Sequence, residues 1–320
     1  MKHLTNDRPD SMHAEWVISN VCNYTCNYCD PKLYGGSSGW PDLQKSLDFW
    51  QYIHTDVNPN AKMLTLSGGE PTIWPKLSEF FNRLDTSYKK AIVTNGSRTL
   101  RWWQKFIDTT EMDQIAISVH LEFADVNHIK EVIRIIGPHC RVTVLIMLDE
   151  NLVQKGRQFA QVIADAKLYC KVVIKPVTRR YVNEVKTRGL NEAQSYDQDT
   201  INWIRDFDYN LDAPILKTRK RTTAVNIVID GKDYNVFHMN DMIANNQHKF
   251  QGWRCHAGKH RLVVWHDGNV YGAQCSTAKR NLLGNVANGK LDRKIEPLIC
   301  DTEFCSCVPD IRIPKERIDV

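Results

Sequence analysis

Six short runs rich in β-branched residues alternate with amphipathic helical stretches between residues 14 and 177, and no other feature of the chain narrows the fold so far. The runs are Glu15–Ser19, Lys62–Ser67, Lys89–Thr94, Gln114–His120, Arg141–Met147 and Lys171–Val177. Between them, Leu77, Phe80, Phe81 and Leu84 recur at i, i+3, i+4, i+7, and Ile129, Val132, Ile133 and Ile136 repeat the spacing. Each such stretch has one apolar face to bury. Six β/α units imply a parallel sheet wrapped by helices. They are too few for a closed eight-stranded barrel, so the expected α/β fold is an open (β/α)6 partial TIM barrel.

In sheets of this kind ligands gather beyond the carboxyl ends of the strands. Cys22, Cys26 and Cys29, spaced C-x3-C-x2-C, follow the first strand, and Gly68-Gly69-Glu70-Pro71 follows the second. Thr94-Asn95-Gly96 follows the third, Ser118 to Glu122 ends the fourth, and Lys175-Pro176 ends the sixth. The motif residues therefore fall on one face. Three close thiolates cannot complete the four ligands of an iron–sulfur cube, which leaves one iron open for chemistry. Structural zinc wants four ligands, and His13 and His54 stand at no zinc-site spacing from the trio. Buried inert thiols are the remaining reading, and the polar surroundings of the trio do not favour it.

The cysteine spacing, Tyr28 just before the last cysteine and the GGEP turn together resemble the radical S-adenosylmethionine (radical SAM) superfamily, over the whole β/α segment. The resemblance implies a [4Fe–4S] cluster on Cys22, Cys26 and Cys29, with S-adenosylmethionine chelating the open iron. It further implies reductive cleavage to a 5′-deoxyadenosyl radical, hydrogen abstraction from a substrate, and an electron donor such as flavodoxin or ferredoxin. Tyr28 would meet the adenine through its backbone. Gly68 and Gly69 would let the strand end approach the amino group of SAM, and Glu70 would orient that turn. Ser118 would meet the ribose or methionine carboxylate, with Asn95 at the same edge. His120 and Glu122 would hold substrate as the catalytic pair, or form a satisfied pair at the strand end. Lys175 would contact a carboxylate or phosphate, or remain solvated.

The carboxyl third carries Cys255, Cys275, Cys300, Cys305 and Cys307. It resembles the SPASM/twitch extension of radical SAM enzymes, which implies an auxiliary [4Fe–4S] cluster on a small domain containing β-hairpins. Cys255, Cys275, Cys305 and Cys307 are the expected ligands, with Cys300 as the substitute. A four-thiolate zinc site is the alternative. Two hairpins are predicted here, Ile227–Ile229 through Asp230-Gly231 into Tyr234–Val236, and Leu262–Trp265 through Asp267-Gly268 into Val270-Tyr271. Cys140 and Cys170 precede strands and read as core.

The divisions expected are a core over 1–180, a basic helical connector over 181–222 and an auxiliary domain over 223–320. The amino terminus has no apolar signal segment and no apolar run approaches 18 residues, so a cytoplasmic protein without membrane contact is expected. Ten cysteines then point to metal ligation rather than disulfides. A net charge of +5 permits an anionic substrate. The Lys217–Arg221 run, Arg179, Arg180 and Arg188 could meet phosphates, and Trp102-Trp103 could stack bases, though solvated charge and core packing explain both. These features favour a nucleotide or modified nucleobase as substrate over a peptide or protein side chain. The short segment before the first strand also weighs against a leader-peptide enzyme. An iron–sulfur scaffold or redox-sensing nucleic-acid binder is the non-enzymatic alternative, and it has no need of the GGEP turn.

Overall fold

The computed structural model describes residues 3–6, 12–29, 33–177, 196–214, 227–234, 242, 248–275, 278, 281–305 and 308–318. After β1 (His3–Asn6), the expected alternation runs β2 (Met12–Val17), α1 (Leu43–Tyr52), β3 (Ala61–Ser67), α2 (Leu77–Arg83), β4 (Lys89–Thr94) and α3 (Leu100–Thr109). It continues through β5 (Gln114–His120), α4 (Val126–Ile136), β6 (Arg141–Leu148), α5 (Val153–Asp165), β7 (Lys171–Pro176) and α6 (Gln198–Asp206). Strands β2 to β7 pair in sequence order, all parallel, which is the open partial barrel. A short antiparallel strand, β8 (Tyr209–Asn210), closes the β7 edge.

Period-two alternation decides which side chains face the helices. In β6, Val142, Val144, Ile146 and Leu148 are buried while Arg141, Thr143, Leu145 and Met147 are half-buried on the concave side. The predicted apolar faces of α2 and α4 (Leu77, Phe80 and Phe81; Ile129, Val132, Ile133 and Ile136) enter the same core. Asp42, Thr99, Asp125 and Asp197 each cap a helix amino terminus with the side chain, so the β-to-α turns are fixed locally. Cys140 and Cys170 lie in the core. So does Trp103, and Trp102 stacks on Phe106 at 4.9 Å with the Arg98 guanidinium over its ring. The tryptophan pair is therefore helix packing rather than a base platform.

The remaining strands are β9 (Ile227–Ile229), β10 (Lys232–Tyr234), β11 (Arg254–Cys255), β12 (Arg261–Val264), β13 (Asn269–Tyr271), β14 (Gly284–Asn285), β15 (Lys290–Leu291) and β16 (Leu298–Ile299), then α7 (Val308–Ile311) and β17 (Lys315–Glu316). Both predicted hairpins form, β9–β10 and β12–β13, the first returning over Lys232–Tyr234 directly after its turn rather than from Tyr234 onward. Asp230 and Gly231 take the positive φ that a tight two-residue hairpin needs. A small antiparallel sheet runs β10-β9-β1-β17-β11-β16. Two strands cross the divisions drawn from sequence. His3–Asn6 lies in this small sheet, and Arg261–Val264 adds to the barrel as a seventh parallel strand beside β2. Cys307, the Lys217–Arg221 run and residues 179, 180, 186 and 188 lie outside the described residues. Among the described residues no helix is long and apolar enough to cross a membrane.

Candidate functional site

The turn after β3 is sewn onto the chain leaving β2. Gly69 N–H donates to the Ser19 carbonyl at 2.9 Å and Glu70 N–H to the Val21 carbonyl at 2.8 Å. A Cβ on Gly69 would stand 2.1 Å from the Val21 oxygen, and one on Gly68, at φ +133°, 2.6 Å from the Ser19 oxygen. Room for a ligand was the reason the sequence suggested for these glycines. The structure gives a nearer one: only bare backbone lets the turn approach the strand that leads to Cys22.

Glu70 is fully buried and takes four hydrogen bonds. Thr72 N–H, Thr72 Oγ1 and Thr94 Oγ1 donate to Oε1, and Asn95 N–H donates to Oε2 at 2.6 Å. Each bond to a charged group contributes about 1.5–3 kcal/mol, yet burial still wins and holds the carboxyl above its usual range. Glu70 thus ties the end of β3 to the end of β4. Asn95 extends the tie, because its amide donates to Asn23 on the cysteine loop at 2.9 Å.

Cys22, Cys26 and Cys29 share one loop, and Cys29 N–H donates to the Cys26 carbonyl at 3.0 Å. Burial pushes the Cys26 thiol up to about 12, with Cys29, Glu122 and Cys22 adding to it, and burial raises Cys22 as well. Such a trio becomes three thiolates only with cationic charge among them, and a cluster of irons supplies that. Among the described residues no three His, Cys, Asp or Glu side chains converge as ligands of a single ion would. A cube does not require it, since each thiolate binds a different iron.

His120 and Glu122 turn towards the cysteine loop. His120 Nδ1 and Tyr28 Oη lie 2.6 Å apart with the rings stacked at 5.8 Å, and Asn27 N–H donates to Glu122 Oε2 at 3.3 Å. Burial first, then the charge of Lys175, lowers His120 to about 4, so the ring is neutral at pH 7. Tyr28 is buried and its phenol is held well above the usual range by that burial. Ser118 sits half-buried on the concave face of β5, in register with Leu145, and Lys175 stands exposed at the end of β7.

Residues 16–156, which contain all three cysteines, the glycine turn and the β5 end, match the family model described as the Radical SAM superfamily. Over this segment the chain resembles a radical SAM domain. Such a domain works with a [4Fe–4S] cluster and S-adenosylmethionine, and the three free cysteines of the loop fit the cluster. The chain is 28% identical over 193 residues to a GTP 3′,8-cyclase of Psychromonas ingrahamii, covering 59% of this chain and 48% of that protein. It is 33% identical over 87 residues to a 7-carboxy-7-deazaguanine synthase of Clostridium acetobutylicum, 27% of this chain and 38% of that one. These matches span about half or less of the relatives' lengths. Among solved structures, native anSMEcpe with bound AdoMet shares the fold at TM-score 0.50 and 12% identity, covering 87% of this chain and 78% of that one.

Beyond the matched segment, Cys255, Cys275, Cys300 and Cys305 line one pocket together with Asp310 and Lys315. Cys300, the reserve ligand of the sequence reading, is among them. Burial raises the Cys255 thiol, pushes Cys275 up to about 11 and holds Cys305 far above the ordinary thiol value. Lys315 is 3% exposed and donates to the carbonyls of Asp310, Ile311 and Ile313. Burial favours its neutral amine, but negative charge on the neighbouring cysteine sulfurs and on Asp310 opposes that and raises its pKa.

Sequence reading missed a buried polar chain joining the pocket to the barrel. The Arg261 guanidinium, 2% exposed, lies 2.5 Å from Glu15 on β2 and 2.9 Å from Asp310 on α7. Ser67, one residue before the glycine turn, donates to the same Glu15 at 3.4 Å, and the Gln274 amide does so at 3.2 Å. The available signal was Glu15 itself, a charge in the middle of an apolar strand. His13, also on the concave face, bonds Thr65 at 2.9 Å, and burial, then Arg261, lowers it to about 4.

Proposed function

We propose that this chain is a radical SAM enzyme acting on a nucleotide or modified nucleobase, with an external one-electron donor such as flavodoxin or ferredoxin. When bound and reduced, the cluster supplies one electron that splits S-adenosylmethionine into methionine and a 5′-deoxyadenosyl radical, which takes a hydrogen atom from the substrate. The single observation carrying this reading is the hydrogen-bonded seam between the cysteine loop and the glycine turn at the ends of β2 and β3. Cys22, Cys26 and Cys29 hold the cluster. Gly68 and Gly69 fix the backbone edge beside it, and Glu70 and Asn95 lock that edge to β4. Tyr28, His120 and Glu122 keep the last turn of the cysteine loop in place, which makes His120 and Glu122 positioning residues. Ser118 and Lys175 remain free to meet ligand atoms, Lys175 as the cation for a phosphate.

Cys255, Cys275, Cys300 and Cys305 hold a second [4Fe–4S] cluster in this reading. The shared pocket and the buried ammonium of Lys315 beside it support that assignment. The core, connector and auxiliary divisions at 180 and 222 remain useful as functional units. The nucleotide preference rests on two relatives named for guanine-type compounds and on the solvent-facing Lys175.

The test supplies the anaerobic, reduced protein with GTP or a 7-deazaguanine precursor deuterated at its non-exchangeable carbons. Deuterium in 5′-deoxyadenosine is the expected result. Label arriving only from deuterated peptide would move the substrate class to a protein side chain.

A further inference from the structure

A cleft of about 720 Å³ opens at the opposite end of the barrel from the cysteine loop. Its barrel wall includes Met12, the first residue of β2, and Asn60, which precedes β3, whereas Cys22 and Gly68 follow the far ends of those strands. Seven residues of β3 at about 3.3 Å each put roughly 20 Å between the two ends. The cleft is therefore separate from the cysteine-loop site, while Ala257 lines both the cleft and the second cysteine pocket. Its size is that of pockets for small organic ligands, about 300–1,000 Å³.

Two features of its walls point to a ligand. Helix α1 does not stop at Tyr52 but continues as a single π turn, Ile53–Val57, closed by Asn58 N–H on the Ile53 carbonyl at 2.9 Å. Such turns are uncommon and recur at functional sites, and this one delivers Asp56 and Val57 to the cleft. Lys259, Arg293 and Lys294 also line the cleft, are exposed and have no ion-pair partner among the described residues. The two carboxylates nearby do not serve them. Asp56 accepts from Thr55 Oγ1, and Asp292 from the Asn288 amide at 3.4 Å. Asp56 and Asp292 offset part of this charge, and the three cations leave a positive surplus in the cleft that an anion would balance. Tyr52, Leu291 and Ile295 add aromatic and apolar surface to the lining.

We propose that this cleft binds a phosphate-bearing small molecule of nucleotide size, its phosphates on Lys259, Arg293 and Lys294 and its ring body against Tyr52 and Ile295. A carboxylate alone would leave two of the three cations unmatched, whereas a diphosphate can engage all of them. The ligand is an effector or tethering group rather than the radical's target, because the barrel lies between.

Calorimetric titration of ADP and of inorganic pyrophosphate into the cluster-loaded protein, with S-adenosylmethionine saturating the barrel mouth, tests this. ADP is expected to bind with salt-sensitive affinity, and pyrophosphate more weakly because it has no ring. The triple variant Lys259→Gln, Arg293→Gln, Lys294→Gln should weaken ADP binding at least tenfold. Pro59→Trp, which plugs the rim and leaves the charges in place, should do the same. ADP affinity unchanged in either variant, or no ADP binding at millimolar concentration, would overturn the proposal.

Discussion

Gly69 has no slack. With a carbonyl oxygen 2.1 Å from where its Cβ would sit, Gly69→Ala must push the glycine turn off the cysteine loop. Overpacking of this kind costs about 1–3 kcal/mol. The expected outcome is protein that folds yet retains less than half the wild-type iron after anaerobic desalting. His13 gives a pH prediction. Its folded value of about 4 lies below the ordinary 6.5, so between those values the unfolded chain binds more protons and stability falls as pH drops. Urea unfolding at pH 7 and pH 5 should show wild type losing more stability than His13→Gln, by about 1–2 kcal/mol. An equal loss in the two proteins would show that His13 is not the group titrating. The cysteines and the glycine turn were legible in sequence because their signals are local spacings. The partners of His120 and Glu122 were not, since Tyr28 and Asn27 are more than ninety residues away and no spacing announces that contact.

At the scale of elements, the six β/α units were readable because each strand and helix carries its own periodicity. Most strand limits agree within a residue or two, although β2 begins at Met12, three residues earlier than its sequence pattern suggests. The parallel join of β12 to β2 was not readable. Its hairpin signature predicts only the antiparallel partner β13, and the other edge pairs with a strand about 250 residues earlier. Arg261 is the residue through which that join has consequences, since it meets carboxylates from β2 and α7 at once. Removing one partner of a buried ion pair costs about 3–5 kcal/mol, because the other charge stays behind. Arg261→Met should therefore lower stability by about 3 kcal/mol and loosen β12 from the barrel. Faster amide exchange over residues 261–264 would report it. Protection equal to wild type there would mean that apolar packing alone holds the strand.

Across the whole molecule, two cysteine sites stand on either side of the Glu15–Arg261–Asp310 chain, one at the barrel mouth and one among β11, β16 and α7. The sequence foresaw both groups and held Cys300 as the substitute ligand, because spacing cannot reveal that its thiol lines the pocket with those of Cys255, Cys275 and Cys305. Reconstituted protein should carry about eight irons if each site holds a cube, and about four in the variant with Cys22, Cys26 and Cys29 replaced by Ala. About four irons and one zinc in the wild type would assign the second pocket to zinc. The central claim concerns the first site, and it is tested most directly by incubating the anaerobic, dithionite-reduced protein with S-adenosylmethionine and quantifying 5′-deoxyadenosine. The account predicts that wild type forms 5′-deoxyadenosine with an equal amount of methionine, and that Cys26→Ala forms none. Iron-loaded wild type that leaves S-adenosylmethionine intact, or a Cys26→Ala protein that cleaves it at the wild-type rate, would contradict the account.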